Sequence, residues 1–265
     1  MYRRILIGYL DTEQGRDALE LGTLLARASR AELILTTART DDGESLAELA
    51  QDQNADLVVL GSSHRGPVGR VFPGATVEHL LHGAPCAIAV APPGFGKHED
   101  GDSGWRPLSG DAEDVGMRVV GVGFDGTRAA AEALKTAVEL ALPNGAALRV
   151  YTVARKYAHV PGGDGDNPGP GVPTEAEVLR EMLHEAVADL PSEARALPVF
   201  MRGFAAQELV EASDAGVDLM VLGSRSGGPL RRRLHHSVTS TVMQAAKCPV
   251  LISPAGVKAP TEILV

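Results

Sequence analysis

Residues 217 to 252, VDLMVLGSRSGGPLRRRLHHSVTSTVMQAAKCPVLI, combine two continuous apolar runs with a Gly- and Arg-rich loop and a helical stretch between them. Residues 55 to 90, ADLVVLGSSHRGPVGRVFPGATVEHLLHGAPCAIAV, repeat the pattern at a constant offset of 162, with 11 identities over 36 ungapped positions. Apolar strands that alternate with helices are typical of a parallel sheet with helices on both faces. The chain therefore contains two copies of one α/β unit.

The front ends of the two copies match at a different offset, 115, where RRILIGYLDTEQGRDALELG (3–22) lies over RVVGVGFDGTRAAAEALKTA (118–137). The two offsets differ by 47 residues, so the first copy lacks a block that the second keeps at about 154 to 200. That block contains a Gly/Pro-rich loop, a helix from about 174 to 190 and a strand near 197 to 202. We predict two tandem doubly wound parallel sheets, the first truncated, in units 1–92 and 117–256 joined by a polar linker, 93–116.

Composition excludes several classes of protein. The net charge of -9 gives no general attraction for nucleic acid or an anionic membrane, and no stretch approaches the roughly 20 apolar residues of a membrane span. We therefore expect a cytoplasmic protein without nucleic-acid or membrane partners. Cys86 and Cys248 are too few for a disulfide framework, and because they are repeat equivalents at strand starts we predict small buried hydrophobes.

Ligands of doubly wound sheets bind at the carboxyl ends of the strands, where the winding reverses. In the second copy this places the loop 124–127 beside the loop 223–228. The second loop is Gly-rich and precedes a helix near Ser237, so its backbone N–H groups and the helix dipole suit a phosphate, with Arg225 and the Arg231–Arg233 run nearby. Asp125 is placed to accept hydrogen bonds from a ribose or an adenine edge; alternatively it caps the helix at 128, and the Arg run is an exposed helix face.

Catalytic motifs are scarce. The pattern GxGxxG at 121–126 resembles a dinucleotide fingerprint, but only residues 117–120 precede it as a strand, which argues against a dehydrogenase. The sequence contains no HExxH, GxSxG or GxxxxGK[ST], and we interpret His64, His79 and His82 as surface histidines. We therefore do not expect an enzyme.

The stretches VVGVGFDGT (119–127) and DLMVLGSRSGGPLRRRLHHSVTSTVMQAAKCPVLIS (218–253) resemble the universal stress protein family. The resemblance implies five-stranded parallel units of strand order 3-2-1-4-5, packed as an intramolecular pseudo-dimer. It also implies ATP binding through the pattern G-x2-G-x9-G-[S/T]. The second copy matches that pattern at Gly223 and Ser237, and has Ser226 and His236 in place of the other glycines.

The same resemblance places the acid of the first strand at Asp125 and an adenine contact at Thr152. In the first copy, Leu10 replaces the acid and Ala75 the hydroxyl, so a nucleotide site is expected in the second copy alone. The residues predicted to contact the nucleotide are Asp125, Gly126, Thr127, Thr152, Gly223, Ser224, Arg225, Ser226, Ser237 and Val238.

The resemblance implies a stress-response protein that binds ATP or AMP and acts as a switch or scaffold. The alternative is a nucleotide-free interaction module. The truncation would leave the second strand of the first copy as an edge that needs cover from a loop, the linker or a partner. The last strands of the copies, 86–91 and 248–253, are where such units pair, either within one chain or in a homodimer.

Overall fold

The computed structural model describes residues 1–37, 43–62, 77, 80, 86–95, 116–155, 172–224 and 237–254. The first unit contains β1 (Arg4–Gly8), α1 (Glu13–Ser29), β2 (Glu32–Thr36), α2 (Gly43–Asp52), β3 (Leu57–Gly61) and β4 (Ala87–Ala91). The second unit contains β5 (Val119–Gly123), α3 (Arg128–Ala141), β6 (Ala147–Ala154), α4 (Glu175–Ala188), β7 (Ala196–Arg202), α5 (Ala205–Asp214), β8 (Leu219–Ser224), α6 (Val238–Ala245) and β9 (Val250–Pro254).

The nine strands within the described ranges form one sheet of order β2-β1-β3-β4-β9-β8-β5-β6-β7. Pairing is parallel inside each unit and antiparallel between β4 and β9, where Ala89 lies opposite Leu251. The second unit therefore has the order 3-2-1-4-5, and the first has the same order without its third strand. This confirms the predicted fold class, two tandem doubly wound units of which the first is truncated.

The helices identify the missing block. α2 and α5 lie at the repeat offset of 162. The first unit therefore keeps the helix that precedes β3, the strand equivalent to β8. α4 and β7 have no counterpart among the described residues of the first unit. Core contacts divide the helices between the two faces of the sheet: α1, α3 and α4 pack on one face, and α2, α5 and α6 pack on the other.

Side-chain contacts also join the two units. The Asn144 amide donates to the carbonyl of Ala28 at the end of α1, at 3.1 Å, and to the carbonyl of Leu140, at 2.6 Å. The Met1 amine forms an ion pair with Glu139 of α3. The cores on each face run through both units without interruption, so the truncated unit gains apolar cover from its sibling.

A repeated carboxylate fixes the start of the first strand of each unit. Asp56 accepts from the backbone N–H groups of Arg3 and Arg4 at 2.7 and 3.0 Å. Asp218 accepts from those of Arg118 and Val119 at 2.7 and 2.8 Å. Sequence reasoning missed this clamp, although both aspartates precede equivalent apolar runs in the repeat.

Replacing Asp218 by alanine is expected to lower the free energy of unfolding by about 1.5 kcal/mol, because two backbone donors lose a charged acceptor. Equilibrium denaturation with urea measures the loss. The matched control is Asp214→Ala, which removes an exposed ion pair with Lys247 and is expected to cost about 0.5 kcal/mol or less. Equal losses in the two variants would contradict the clamp.

No helix within the described ranges is long and apolar enough to cross a membrane.

Candidate functional site

The predicted crevice lies at the point where the winding of the second unit reverses. β5 pairs with β6 on one side and with β8 on the other, with Val122 opposite Val221. The chain leaves β5 toward α3 and leaves β8 toward α6, so the two loops start next to each other at the carboxyl edge of the sheet. This is the place where open α/β sheets bind ligands.

Asp125 follows β5 and is exposed to solvent. Its Oδ1 accepts from the Thr127 backbone N–H at 3.1 Å and from the Thr127 hydroxyl at 2.6 Å. Thr127 in turn accepts from the Ala130 N–H at 3.3 Å and is the N-cap of α3. The helix cap is therefore Thr127, and Asp125 orients the capping residue from an exposed position after β5.

The loop between Asp125 and Thr127 is closely packed. Gly126 has a φ of +74°, and a Cβ there would lie 2.2 Å from the Met182 sulfur of α4. Glycine is favoured at this position for two reasons: its backbone is left-handed, and a side chain would collide with Met182. The block absent from the first unit therefore packs directly against this loop.

Thr152 is 1% exposed, and its hydroxyl donates to the carbonyl of Phe124 at 2.8 Å. The Phe124 N–H donates to the carbonyl of Tyr151 at 2.8 Å. The side chain of Thr152 therefore acts inside the protein, where it fixes the peptide that precedes Asp125. The resemblance had placed an adenine contact at this residue.

Gly223 and Ser224 end β8. A Cβ on Gly223 would lie 2.3 Å from the carbonyl oxygen of Ala129, in the first turn of α3. Gly61 of the first unit is equally close to Gln14, with 2.1 Å to its carbonyl oxygen. Glycine at this position lets the fourth strand approach the first helix, and Ser224 is buried at 3% exposure.

The start of α6 faces the same edge. Ser237 is its N-cap and accepts from the Ser240 N–H at 3.1 Å, while Val238 is 39% exposed. Thr239 donates to the carbonyl of Gly223 at 3.1 Å, which ties the helix start to the end of β8. The predicted residues Arg225 and Ser226 lie outside the described residues, as do Ala75, the histidines singled out above and the Arg231–Arg233 run.

The equivalent loop of the first unit is built differently. Thr12 caps α1 by accepting from the Gly15 N–H at 3.1 Å, as Thr127 does in α3. The Thr12 N–H, however, donates to the backbone carbonyl of Leu10 at 2.7 Å, and Asp11 pairs with Arg16 at 3.2 Å. The first unit therefore keeps the cap and replaces the orienting carboxylate with a main-chain oxygen.

Two other kinds of site find no support. Gly121 and Gly123 lie inside β5, where Val217 and Leu222 side chains occupy the space beside them, so they do not form the glycine turn of a dinucleotide site. Among the residues that the structure describes, no three His, Cys, Asp or Glu side chains are grouped to hold a metal ion.

Sequence comparison identifies related proteins. A family model described as the universal stress protein family matches residues 35–92 and 117–254, more than half of the chain. A universal stress protein of Mycolicibacterium smegmatis is 29% identical over 247 residues, which cover 91% of this chain and 76% of the relative. One of Mycobacterium tuberculosis H37Rv is 27% identical over 259 residues, which cover 93% and 79%.

Solved structures share the fold. A universal stress protein from Archaeoglobus fulgidus superposes with a TM-score of 0.58 at 14% identity, over 96% of each chain. A protein described as a putative universal stress protein from Pseudomonas aeruginosa superposes with a TM-score of 0.60 at 16% identity, over 96% of this chain and 93% of that one. At these identities the likeness concerns the fold alone.

Proposed function

The chain belongs to the universal stress protein family, and from that membership we propose that it binds an adenine nucleotide, ATP or AMP, at the carboxyl ends of β5 and β8. The observation that carries the proposal is the carboxylate of Asp125. It is exposed, it lies in the loop after the first strand of the complete unit, and it accepts two hydrogen bonds from Thr127. An oriented carboxylate accepts hydrogen bonds from ribose hydroxyls or from an adenine amino group.

The N-terminus of α6 is suited to binding the phosphates of the nucleotide. A helix N-terminus offers backbone N–H groups and a positive dipole end. Ser237 uses an oxygen lone pair to accept from Ser240, so its O–H remains able to donate to a phosphate oxygen. We include Arg225 and Ser226, which follow β8 in the sequence, in this phosphate-binding group.

We propose that the bound nucleotide controls a switch or scaffold of the stress response and is not turned over rapidly. Asp125 already holds Thr127 and the start of α3, so its carboxylate is suited to orienting a ligand. Binding at this loop would also stabilise its contact with Met182 and so report nucleotide occupancy to α4.

Isothermal titration calorimetry of nucleotide-free protein with ATP and with AMP tests the proposal. We expect saturable binding that weakens about tenfold in Asp125→Ala, because one charge-assisted hydrogen bond is worth roughly 1.5 kcal/mol. Asp125→Asn keeps an oxygen for Thr127 and is expected to lose less. The control Asp11→Ala removes the exposed carboxylate of the equivalent loop in the first unit and should leave binding unchanged. Absence of saturable binding, or an equal affinity of Asp125→Ala and the parent, would refute the site.

A nucleotide-free interaction module is the second candidate function. It is favoured by the structural roles of Gly223 and Thr152, which are accounted for by packing and by an internal hydrogen bond without any ligand. Under this alternative, neither ATP nor AMP would bind or raise the midpoint of thermal unfolding.

A further inference from the structure

The truncation uncovers an apolar strip on β2. Leu33 and Leu35 lie on the face of the sheet where α1 packs. Their equivalents in the second unit, Leu148 and Val150, are fully buried because α4 covers that face and β7 pairs alongside. Leu35, by contrast, is 54% exposed. In the second unit, the equivalent strand β6 therefore has both a neighbouring strand and an apolar helix packed over these two positions.

In the part of the chain that the structure describes, the backbone of β2 has a strand partner on one side only. The Glu32 N–H donates to the carbonyl of Arg3 at 2.8 Å, and the carbonyl of Thr36 accepts from the Tyr9 N–H at 2.9 Å. Alternate residues of a parallel strand bond to the same neighbour, so the N–H and C=O groups of Leu33 and Leu35 point away from β1. Within the described ranges, β1 is the one strand that pairs with β2.

The opposite edge of the sheet is protected. The Gly203 N–H, directly after β7, donates to the carbonyl of Ala154 in β6. Every second residue of a parallel strand bonds to the same neighbour, so the backbone groups of the even-numbered residues of β7, which include Pro198, point away from β6. A proline there has no N–H to offer an added strand, which is a common protection of edge strands. The two ends of the described sheet thus differ, because β2 has outward N–H groups at Leu33 and Leu35 whereas β7 has a proline at an outward position.

We propose that β2 pairs antiparallel with β2 of a second copy of this chain, around a two-fold axis at Ile34. The register that uses every outward backbone group places Leu33 opposite Leu35 of the second copy and Ile34 opposite its own counterpart. Glu32 then faces Thr36 of the second copy, so no like charges meet, and Arg4 pairs with Glu32 within each chain at 3.3 Å. This interface is independent of nucleotide binding.

The chain itself contains a precedent for this association. β4 and β9 already join two such units edge to edge in antiparallel register. Pairing through β2 continues the same sheet across the two-fold axis and brings four leucines, two from each chain, into one apolar strip. It removes the exposed edge that the loss of the third strand created.

Light scattering coupled to size-exclusion chromatography tests the interface. The full chain is expected to be a dimer whose dissociation constant rises at least tenfold in Leu35→Lys. The matched control is Leu197→Lys on β7, because Leu197 is 56% exposed on the opposite edge strand, and it should leave the dimer intact. A monomeric parent chain at all concentrations, or equal weakening by both variants, would overturn the proposal.

Disulfide trapping tests the register and remains informative if Leu35→Lys folds poorly. Residues opposite each other in a non-hydrogen-bonded antiparallel pair are close enough for a disulfide, so Ile34→Cys is expected to form a covalent dimer on oxidation. The control is Val199→Cys on β7, a partly buried residue on the same sheet face as Ile34. The native thiols are buried and do not compete. Failure of Ile34→Cys to cross-link, or cross-linking of Val199→Cys to the same extent, would overturn the register.

Discussion

Replacing Gly223 by alanine is expected to lower the free energy of unfolding by about 3 kcal/mol, the upper end of the range for overpacking. The added Cβ would lie 2.3 Å from the carbonyl oxygen of Ala129 and 2.4 Å from its carbonyl carbon. Both are backbone atoms in the first turn of α3, so no rotamer change relieves the contact. β8 or α3 must move, and the loops that begin at their ends move with them. Equilibrium denaturation measures the loss.

Gly61→Ala extends the prediction to the first unit, where the Cβ would lie 2.1 Å from the carbonyl oxygen of Gln14. Gly145→Ala is the control for backbone conformation alone, because Gly145 has a φ of +63° and no atom within 4 Å of a Cβ. It is expected to cost about 1 kcal/mol. If Gly223→Ala costs no more than Gly145→Ala, close packing is not the reason for glycine at the strand end.

These glycines illustrate what the sequence reveals and what it conceals. The constant offset of 162 aligned Gly61 with Gly223, and its difference from the offset of 115 predicted that the first unit lacks a helix and a strand, because both depend on periodicity and on the chain length between apolar runs. The strand order was implied by the resemblance to the universal stress protein family. How closely a strand end approaches a helix turn depends on packing depth, which periodicity does not encode. Resemblance therefore suggested a phosphate role for Gly223, and its contact with Ala129 emerged only from the structure.

At the candidate site, too, the sequence predicted the position of the residues but not their contacts. The sequence predicted that Asp125 ends a strand at the carboxyl edge, because strand ends and the topological switch follow from the order of the elements. It did not separate a capping role from a binding role, since that depends on which atom accepts from the Ala130 N–H; the structure assigns the cap to Thr127. The burial of Thr152 was equally inaccessible, because it depends on which way the side chain turns at the edge of the sheet.

Raising the pH from 8 to 11 is expected to remove about 5 kcal/mol of stability through the two cysteines. Cys86 and Cys248 are 2% exposed, as the sequence predicted, and burial raises the pKa of each thiol from an ordinary value of 9.0 to about 12. The unfolded thiol loses its proton near pH 9 whereas the folded thiol keeps it. The stabilisation is therefore complete below pH 9 and is lost as the pH rises toward 12, at roughly 2 to 3 kcal/mol per thiol by pH 11.

A loss of this size approaches the whole stability of many domains, so the chain is expected to unfold near pH 11 at moderate temperature. Burial also raises the pKa of Tyr2, so other groups contribute above pH 10. The double variant Cys86→Ala, Cys248→Ala isolates the thiols. It should be less stable than the parent at pH 8, because small cavities replace the sulfur atoms, yet lose about 5 kcal/mol less between pH 8 and pH 11. Parallel stability curves for the two proteins over this interval would mean that the thiols ionise in the folded state as readily as in the unfolded chain.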